Sequence, residues 1–413
     1  METRETPGSR TGIWLVGAFG SLATTVVVGA RAVARGLARP LGVVTEGPEF
    51  KPLGLAGIDG LVFGGHEIRG DSLAAAAAVI ARENGSITDA WIGQLGPELD
   101  AISKRVRPGI ASGGGAAIES LQDGTLPRPE RRGRDTVDRL AEDIRRFAKQ
   151  EALDRVTVVN VASTEPPFRN AVPTLQLAEL ERCLDSEAPG SLRPGTLYAY
   201  AAFQAGAAYV NFTASNSCLC PAIEEFAARR QLPYAGNDGK TGETLVKSGL
   251  APLFRTRQLE VMSWVGYNVL GNRDGRVLSV EENKQSKVDS KDSVVPSILG
   301  YSLRTHVGID YVESLGDSKV AWDFIHFRGF LGHPMSMQFT WQGCDSILAA
   351  PLVLDLARLS DLALRQRESG PMSHLASFFK SPIHCAEHDL YRQFARLADY
   401  VDQVAKSGVP RSA

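Results

Sequence analysis

The sequence predicts an α/β fold in two parts: a Rossmann-type, doubly wound parallel sheet and a second, sheet-rich α+β domain, with C-terminal helices that return to the first. Three observations predict it. The chain opens with a short apolar run, a glycine turn and a helical pattern; strand-like and helical stretches then alternate; and after Asp238 strand-like runs follow one another with little helix between them. The first domain is therefore expected at 10–237 and 342–413, and the second at 238–341.

Taken in order, Ile13 to Val16 is apolar and ends in Gly17-Ala18-Phe19-Gly20, after which Ser21 and Leu22 start a helical pattern that runs to Gly36. Small residues in such a turn let the backbone approach a pyrophosphate at a helix N-terminus. The turn departs from the three-glycine fingerprint, yet Ala18, Gly20 and Ala23 are all small. Thr24 and Thr25 either add hydroxyl contacts or bond backward to a carbonyl. Strand-like runs recur at Leu41 to Val44, Leu61 to Phe63 and Val156 to Val161. Helical stretches fall at Asp71 to Asn84, Arg134 to Gln150, Leu175 to Cys183 and Leu197 to Ala205, and 109–134 reads as loop. In the second domain the strand-like runs are Leu259 to Tyr267, Arg304 to Tyr311, Val320 to Ile325 and Met335 to Trp341. From Ser346 to Leu364 apolar residues recur at helical spacing.

The formal net charge of -2 removes any electrostatic reason to expect nucleic acid or an anionic membrane as partner, so affinity for anions must be local. No apolar run approaches the roughly 20 residues of a membrane span, and the polar start lacks a secretory pattern, which together predict a cytoplasmic protein. Five scattered cysteines argue against a disulfide framework and read as reduced thiols; Cys218 and Cys220 lack the spacing of a metal or redox pair. His384-Cys-Ala-Glu-His388 matches an inverted zinc-protease pattern if it is helical. Nothing else in the chain suggests a peptidase, so no metal site is assigned.

Lys287, Lys291, Lys319 and Lys380 stand in segments whose other residues suggest a phosphate and carbonyl site rather than a solvated face. Cations converging on a dry pocket would stabilise a sugar phosphate and the oxyanion of an enolate. Around them, Asn160-Val-Ala-Ser-Thr-Glu165, Gly236-Asn-Asp-Gly-Lys-Thr-Gly242, Tyr267 to Gly275, Ser286-Lys-Val-Asp-Ser-Lys291, Gly316-Asp-Ser-Lys319 and Asp345 to Pro351 follow in that order. In order and spacing these motifs resemble the inositol-phosphate synthase family over nearly the whole chain.

That resemblance implies an NAD-dependent isomerase that turns glucose 6-phosphate into an inositol monophosphate. Oxidation at C5 by bound NAD acidifies C6, the enolate attacks the C1 aldehyde, and the same cofactor reduces C5 again. By position, Lys287 corresponds to a lysine near the C5 oxygen and Lys380 to one near the reacting carbonyl, while Lys291 and Lys319 lie around the phosphate and the developing charge. Asp238 and Asp345 correspond to acids that hold lysines, and Asp274 and Asp317 to acids near the nicotinamide or a bound monovalent or divalent cation. The cofactor would lie on Gly17, Ala18, Phe19, Gly20, Ser21, Leu22, Ala162, Ser163 and Thr164, with Glu67 at the adenosine ribose. Lys240, Thr241, Gly242, Glu243 and Thr244 would cradle the substrate phosphate. The family also implies a homotetramer built through the sheet-rich domain, which would carry catalysis and oligomerisation.

Three departures leave room for another sugar phosphate. Ala23 stands at the third position of the glycine turn, and Asn211-Phe-Thr-Ala-Ser-Asn216 is altered. Glu243 replaces the usual glutamine, where a carboxylate is unfavourable unless Lys240 neutralises it or it reads a sugar hydroxyl. A 2-ketose phosphate closing to a five-membered ring, and a non-catalytic NAD-binding regulator, are the alternatives. Asp345 also suits the N-cap of the helix that follows it.

Overall fold

A computed structural model describes residues 10–167, 176–188, 190–271 and 294–407. Among the described residues, eleven strands form two sheets. The first contains β1 (Thr11–Val16), β2 (Leu61–Glu67), β3 (Val106–Pro108), β4 (Arg155–Asn160), β5 (Ala208–Asn211), β6 (Pro233–Ala235) and β11 (Gly370–Pro371), in the order β11-β6-β5-β4-β1-β2-β3. All its pairings are parallel. The second has the order β10-β9-β7-β8, with β7 (Glu260–Leu270), β8 (Arg304–Tyr311), β9 (Ser318–Arg328) and β10 (Pro334–Cys344). There β7 and β8 run parallel, and β9 runs antiparallel to both β7 and β10.

The helices are α1 (Ser21–Ala34), α2 (Leu73–Asn84), α3 (Asp89–Ser103), α4 (Ala116–Glu119), α5 (Gly133–Gln150), α6 (Leu177–Asp185), α7 (Pro194–Ala205), α8 (Pro221–Arg230), α9 (Gly242–Thr256), α10 (Val294–Leu299), α11 (Asp345–Arg365) and α12 (Leu390–Ser407). One core packs α1 and α11 against one face of the first sheet, and another packs α5 and α7 against the opposite face. This is the doubly wound arrangement. Val26, Val27, Val28, Ala30 and Ala32 of α1 are all buried, and each valine removed from water is worth roughly 1.5 kcal/mol or more. Ala23 is buried in the same packing, so an alanine fills this position without holding the helix off the sheet.

The second sheet covers one face with α9 and α10 around Phe254, Trp264 and Ile325. Its strands follow from period-two alternation: Lys319, Ala321, Asp323, Ile325 and Phe327 of β9 are buried, while the residues between them are not.

The elements differ from expectation in several places: the short strands β3, β5, β6 and β11 and the helices α8 and α9 were not expected, α9 standing where little helix was foreseen after Asp238, and two further differences have a clear cause. Leu41 to Val44 forms no strand, because the backbone N–H groups of Val44 and Thr45 donate to the Asp355 carboxylate of α11 at 3.0 and 2.8 Å, not to a neighbouring strand. Helix α3 was missed because its apolar stripe is narrow: Leu95, Leu99 and Ile102 alone are buried.

Candidate active site

The C-terminal ends of β1, β2 and β4 and the edge of the second sheet bound a cavity of about 670 Å³. Three helix N-termini meet it. Helix α1 begins there with Gly20 as N-cap, α9 with Thr241 and α11 with Cys344, and none of the three has a side-chain cap. The first amides of a helix have no intrahelical acceptor, and the helix dipole favours an anion beside them by about 0.5–2 kcal/mol. Gly20, Ser21, Leu22, Thr241, Asp345 and Ser346 line the cavity where these helices start. Asp345 is thus the first helical residue, and Cys344 holds the cap position that Asp345 was expected to fill.

At the nucleotide end, Gly17 has φ +86, and a Cβ there would lie 3.1 Å from Ala162 Cα. Only glycine lets the turn pass so close to the end of β4. Gly17, Gly20, Ser21, Leu22, Glu67, Ala162, Ser163 and Thr164 all line the cavity. Ala18 and Phe19 do not line it: Ala18 packs in the core, and Phe19 faces a smaller adjoining crevice. Thr25 bonds backward to Ser21 O at 2.8 Å, so its hydroxyl is spent within α1. Glu67 accepts from Phe19 N at 2.7 Å and faces Arg69, which sequence reasoning passed over. These residues fit a dinucleotide: an uncapped helix start, a close-packed glycine turn and an acid ending the second strand.

At the opposite end, residues 236–240 run antiparallel to 378–383, with Lys380 N donating to Asp238 O at 2.7 Å and Lys240 N to Phe378 O at 2.8 Å. This ladder puts the Lys380 ammonium 2.8 Å from Asp238 Oδ1, with both side chains buried and both residues on the cavity wall. Asp238 Oδ2 has no hydrogen-bond partner among the described residues. A second pair, Lys319 and Asp345, approaches at 3.4 Å, and Thr241 Oγ1 donates to Asp345 at 3.3 Å. Gly242 has φ +57, and a Cβ there would sit 3.4 Å from Lys319 Nζ, so the missing side chain leaves room between the lysine and the start of α9. Thr244 Oγ1 is buried with no partner among the described residues, an acceptor-seeking donor in the first turn of α9.

Asp317 is gripped from three elements. Its Oδ2 accepts from Asn84 Nδ2 at 3.3 Å, from Cys344 Sγ at 3.0 Å and from the Ser346 hydroxyl. Burial beside this carboxylate pushes the Cys344 thiol up to about 11. Ser346 was within reach of sequence reasoning, because it follows Asp345 directly. Asn84, 233 residues from Asp317, gave no such signal.

Two expected phosphate ligands turn away. The Lys240 side chain is buried against α12, where it donates to Gln393 Oε1, and burial lowers its ammonium to about 7. Glu243 does not pair with Lys240. Its Oε1 lies 2.6 Å from Lys247 Nζ, one turn along α9, and its Oε2 accepts from Asn268 at 2.5 Å. Lys247 also faces Asp323, which accepts from Trp264 Nε1 at 2.7 Å. Glu243 therefore ties α9 to the second sheet, buried and outside the cavity lining. Lys287, Lys291 and Asp274 lie outside the described residues.

The altered segment after β5 bends back through Asn211 Nδ2, which donates to Ser215 O at 3.0 Å, and this turns Phe212, Thr213 and Ala214 into the cavity wall. The segment 384–389 is not helical, so His384 and His388 share no helical face and the protease pattern has no structural basis. His384 pairs with Glu224 at 3.0 Å instead.

The family model described as myo-inositol-1-phosphate synthase matches residues 11–401. An inositol-3-phosphate synthase 1 of Bacteroides thetaiotaomicron is 36% identical over 411 residues, covering 93% of this chain and 93% of that protein. The Bos taurus inositol-3-phosphate synthase 1 is 32% identical over 374 residues, and the match spans 83% of this chain but 64% of the bovine protein. Among solved structures, inositol-3-phosphate synthase from Caenorhabditis elegans aligns with a TM-score of 0.86 at 26% identity, covering 98% of this chain and 87% of that one. A myo-inositol-1-phosphate synthase-related protein from Thermotoga maritima shares the fold, with a TM-score of 0.75 at 23% identity over 95% of this chain and 98% of its own.

Proposed function

The chain belongs to the myo-inositol-1-phosphate synthase family and is an NAD-dependent isomerase that converts glucose 6-phosphate into an inositol phosphate, and we propose a division of labour within its cavity. The observation that carries this proposal is the convergence on one cavity of three uncapped helix N-termini and the Lys380–Asp238 pair, with Lys319 paired to the wall residue Asp345. Two anionic groups need such donors, the cofactor's diphosphate and the substrate's phosphate. The first falls to the start of α1. The second falls to the start of α9, where the amides after Thr241, the Thr244 hydroxyl and Lys319 form the cradle.

When bound, NAD supplies the reversible redox step at C5. The chain must then stabilise an enolate and polarise an aldehyde. Lys380, buried and oriented by Asp238, presents an ammonium to the reacting carbonyl, and a fixed cation in a site shielded from water favours the oxyanion over the neutral carbonyl. Lys319, steered by Asp345, neutralises the phosphate and the charge that develops beside it. Asp317, held by Asn84, Cys344 and Ser346, faces the nicotinamide or a bound cation. Lys287 and Lys291 complete the set by resemblance, at the C5 oxygen and around the phosphate.

We assign the second domain to 238–341 and the first to 10–237 and 342–413. The homotetramer is proposed on the open face of the second sheet, where Tyr267 and Trp322 stack at 6.2 Å and are 42% and 37% exposed. A cytoplasmic location belongs to the same proposal; among the described residues no helix is long and apolar enough to cross a membrane. The ketose substrate and the non-catalytic regulator are not favoured by the relatives.

Nucleotide-free enzyme given glucose 6-phosphate and substoichiometric NAD should form inositol phosphate, resolved from substrate by carbon NMR, without accumulating NADH. Stoichiometric NADH together with an oxidised sugar would identify an ordinary dehydrogenase and overturn the reading. Fructose 6-phosphate as the preferred substrate would overturn the assignment of the sugar.

A further inference from the structure

We propose that Arg69 is a latent phosphate-binding side chain silenced by Glu67, so that one carboxylate decides between a dinucleotide with a free ribose 2′-hydroxyl and one with a 2′-phosphate. The inference rests on the assignment of this cavity to NAD. Glu67 ends β2, is 5% exposed, and uses Oε2 to accept from Phe19 N at 2.7 Å and Oε1 to accept from Ile68 N at 2.8 Å. Arg69 lies across it, with Nε 3.4 Å from Oε1 and Nη2 3.4 Å from Oε2. The same Nη2 donates to Phe19 O at 2.8 Å, and Arg69 lines the cavity beside Glu67 and Ser21.

In a dinucleotide fold the acid at the end of the second strand accepts from ribose hydroxyls, while an arginine nearby is what accommodates a 2′-phosphate. Both are present here. With Glu67 in place the guanidinium is neutralised and its fork is turned onto a carboxylate and a carbonyl, and an incoming phosphate dianion meets a fixed negative charge. Remove the carboxylate and Arg69 keeps its single bond to Phe19 O. Its other N–H groups then face the cavity in the planar array that suits phosphate. Asp71 and Asp123 line the same end of the cavity, so the exchange should stop short of full preference for the phosphorylated cofactor.

The alternative role for Arg69 is to clamp the glycine turn through Phe19 O and nothing more. Calorimetric titration of NAD and NADP into the nucleotide-free, full-length protein separates the two. Wild type should bind NAD far more tightly than NADP. Glu67→Ser should weaken NAD and strengthen NADP, each by about 10-fold, and the NADP gain should vanish in Glu67→Ser/Arg69→Met. Should Glu67→Ser fail to fold for want of the Phe19 acceptor, Glu67→Gln keeps an acceptor and loses the charge, and it should show the same direction of change. A loss of both nucleotides alike, or an NADP gain that survives removal of Arg69, overturns the assignment. Wild-type protein that binds no NAD would overturn the cofactor reading itself.

Discussion

Lys380 shows how a single side chain carries both packing and chemistry. Its ammonium is buried 2.8 Å from Asp238, so truncating it removes a proposed oxyanion donor and also strands a carboxylate away from water. Lys380→Ala should lower kcat by about 100-fold or more, the scale for losing one such donor, and lower Tm as well. Lys380→Met/Asp238→Asn should recover much of the Tm and none of the kcat; recovery of turnover in the double variant would rule out a catalytic part for Lys380. Lys240 tests the opposite case, a lysine that points away from the chemistry. Burial lowers its ammonium from 10.5 to about 7, so between those values the unfolded chain carries a proton that the folded protein lacks. This group therefore weakens the fold fully below pH 7, and the penalty fades as pH rises toward 10.5, at no more than about 1.4 kcal/mol per pH unit. Melting curves of wild type and Lys240→Met from pH 6 to 10 should converge or cross with that sign. Parallel curves would show that Lys240 does not titrate in this window.

At the scale of elements, the connection from β1 through α1 to β2 is fastened to α11 by one buried acid. Asp355 accepts from Val44 N, Thr45 N and the Thr45 hydroxyl, the last at 2.6 Å. Arg358, one turn later on α11, donates to Thr45 Oγ1 and to Ala56 O and pairs with Glu46. Burial pushes the Asp355 carboxyl up to about 6, since three donors and one guanidinium only partly offset the loss of water. Asp355→Ala leaves the buried Thr45 amide and the partly buried Val44 amide without this acceptor and should destabilise the protein by about 3 kcal/mol. Amide exchange at residues 43–47 should accelerate before the rest of the first domain responds. Unchanged protection there would mean that this stretch is held by its apolar contacts, Val43 and Phe50 among them, and not by the carboxylate.

For the molecule as a whole, the second sheet is covered on one face by α9 and α10, while the other presents Tyr267, Trp322 and Phe324 in a stacked row. The β9–β10 hairpin tip adds Phe330 and Leu331, each 89% exposed. Aromatic side chains in a row over a broad sheet are what an isologous interface between copies would use. Light scattering should find the wild type as a tetramer, and Trp322→Glu should shift it toward smaller species by placing a carboxylate in the apolar contact. A variant that remains tetrameric at micromolar concentration would move the interface elsewhere.

The elements were legible from residues alone wherever local periodicity and burial agree. The glycine turn into α1, the alternating strands of the second sheet and the long apolar helix α11 each repeat their signal several times within one segment. Leu41 to Val44 carried the composition of a strand but not the neighbour, and a carboxylate 311 residues from Val44 took its hydrogen bond instead. The motifs brought Lys380, Asp238, Lys319 and Asp345 into consideration, but whether a charged side chain enters the cavity or leaves it was decided by tertiary structure. Lys240 and Glu243 sit in the same motif as Thr241 and Gly242, and the structure turns both away, toward Gln393 on α12 and Lys247 on α9. Periodicity is written along the chain because each element forms from its own residues. The partner of a buried charge is set by which elements pack together, since desolvation is offset only by a group that the whole fold brings within hydrogen-bonding distance.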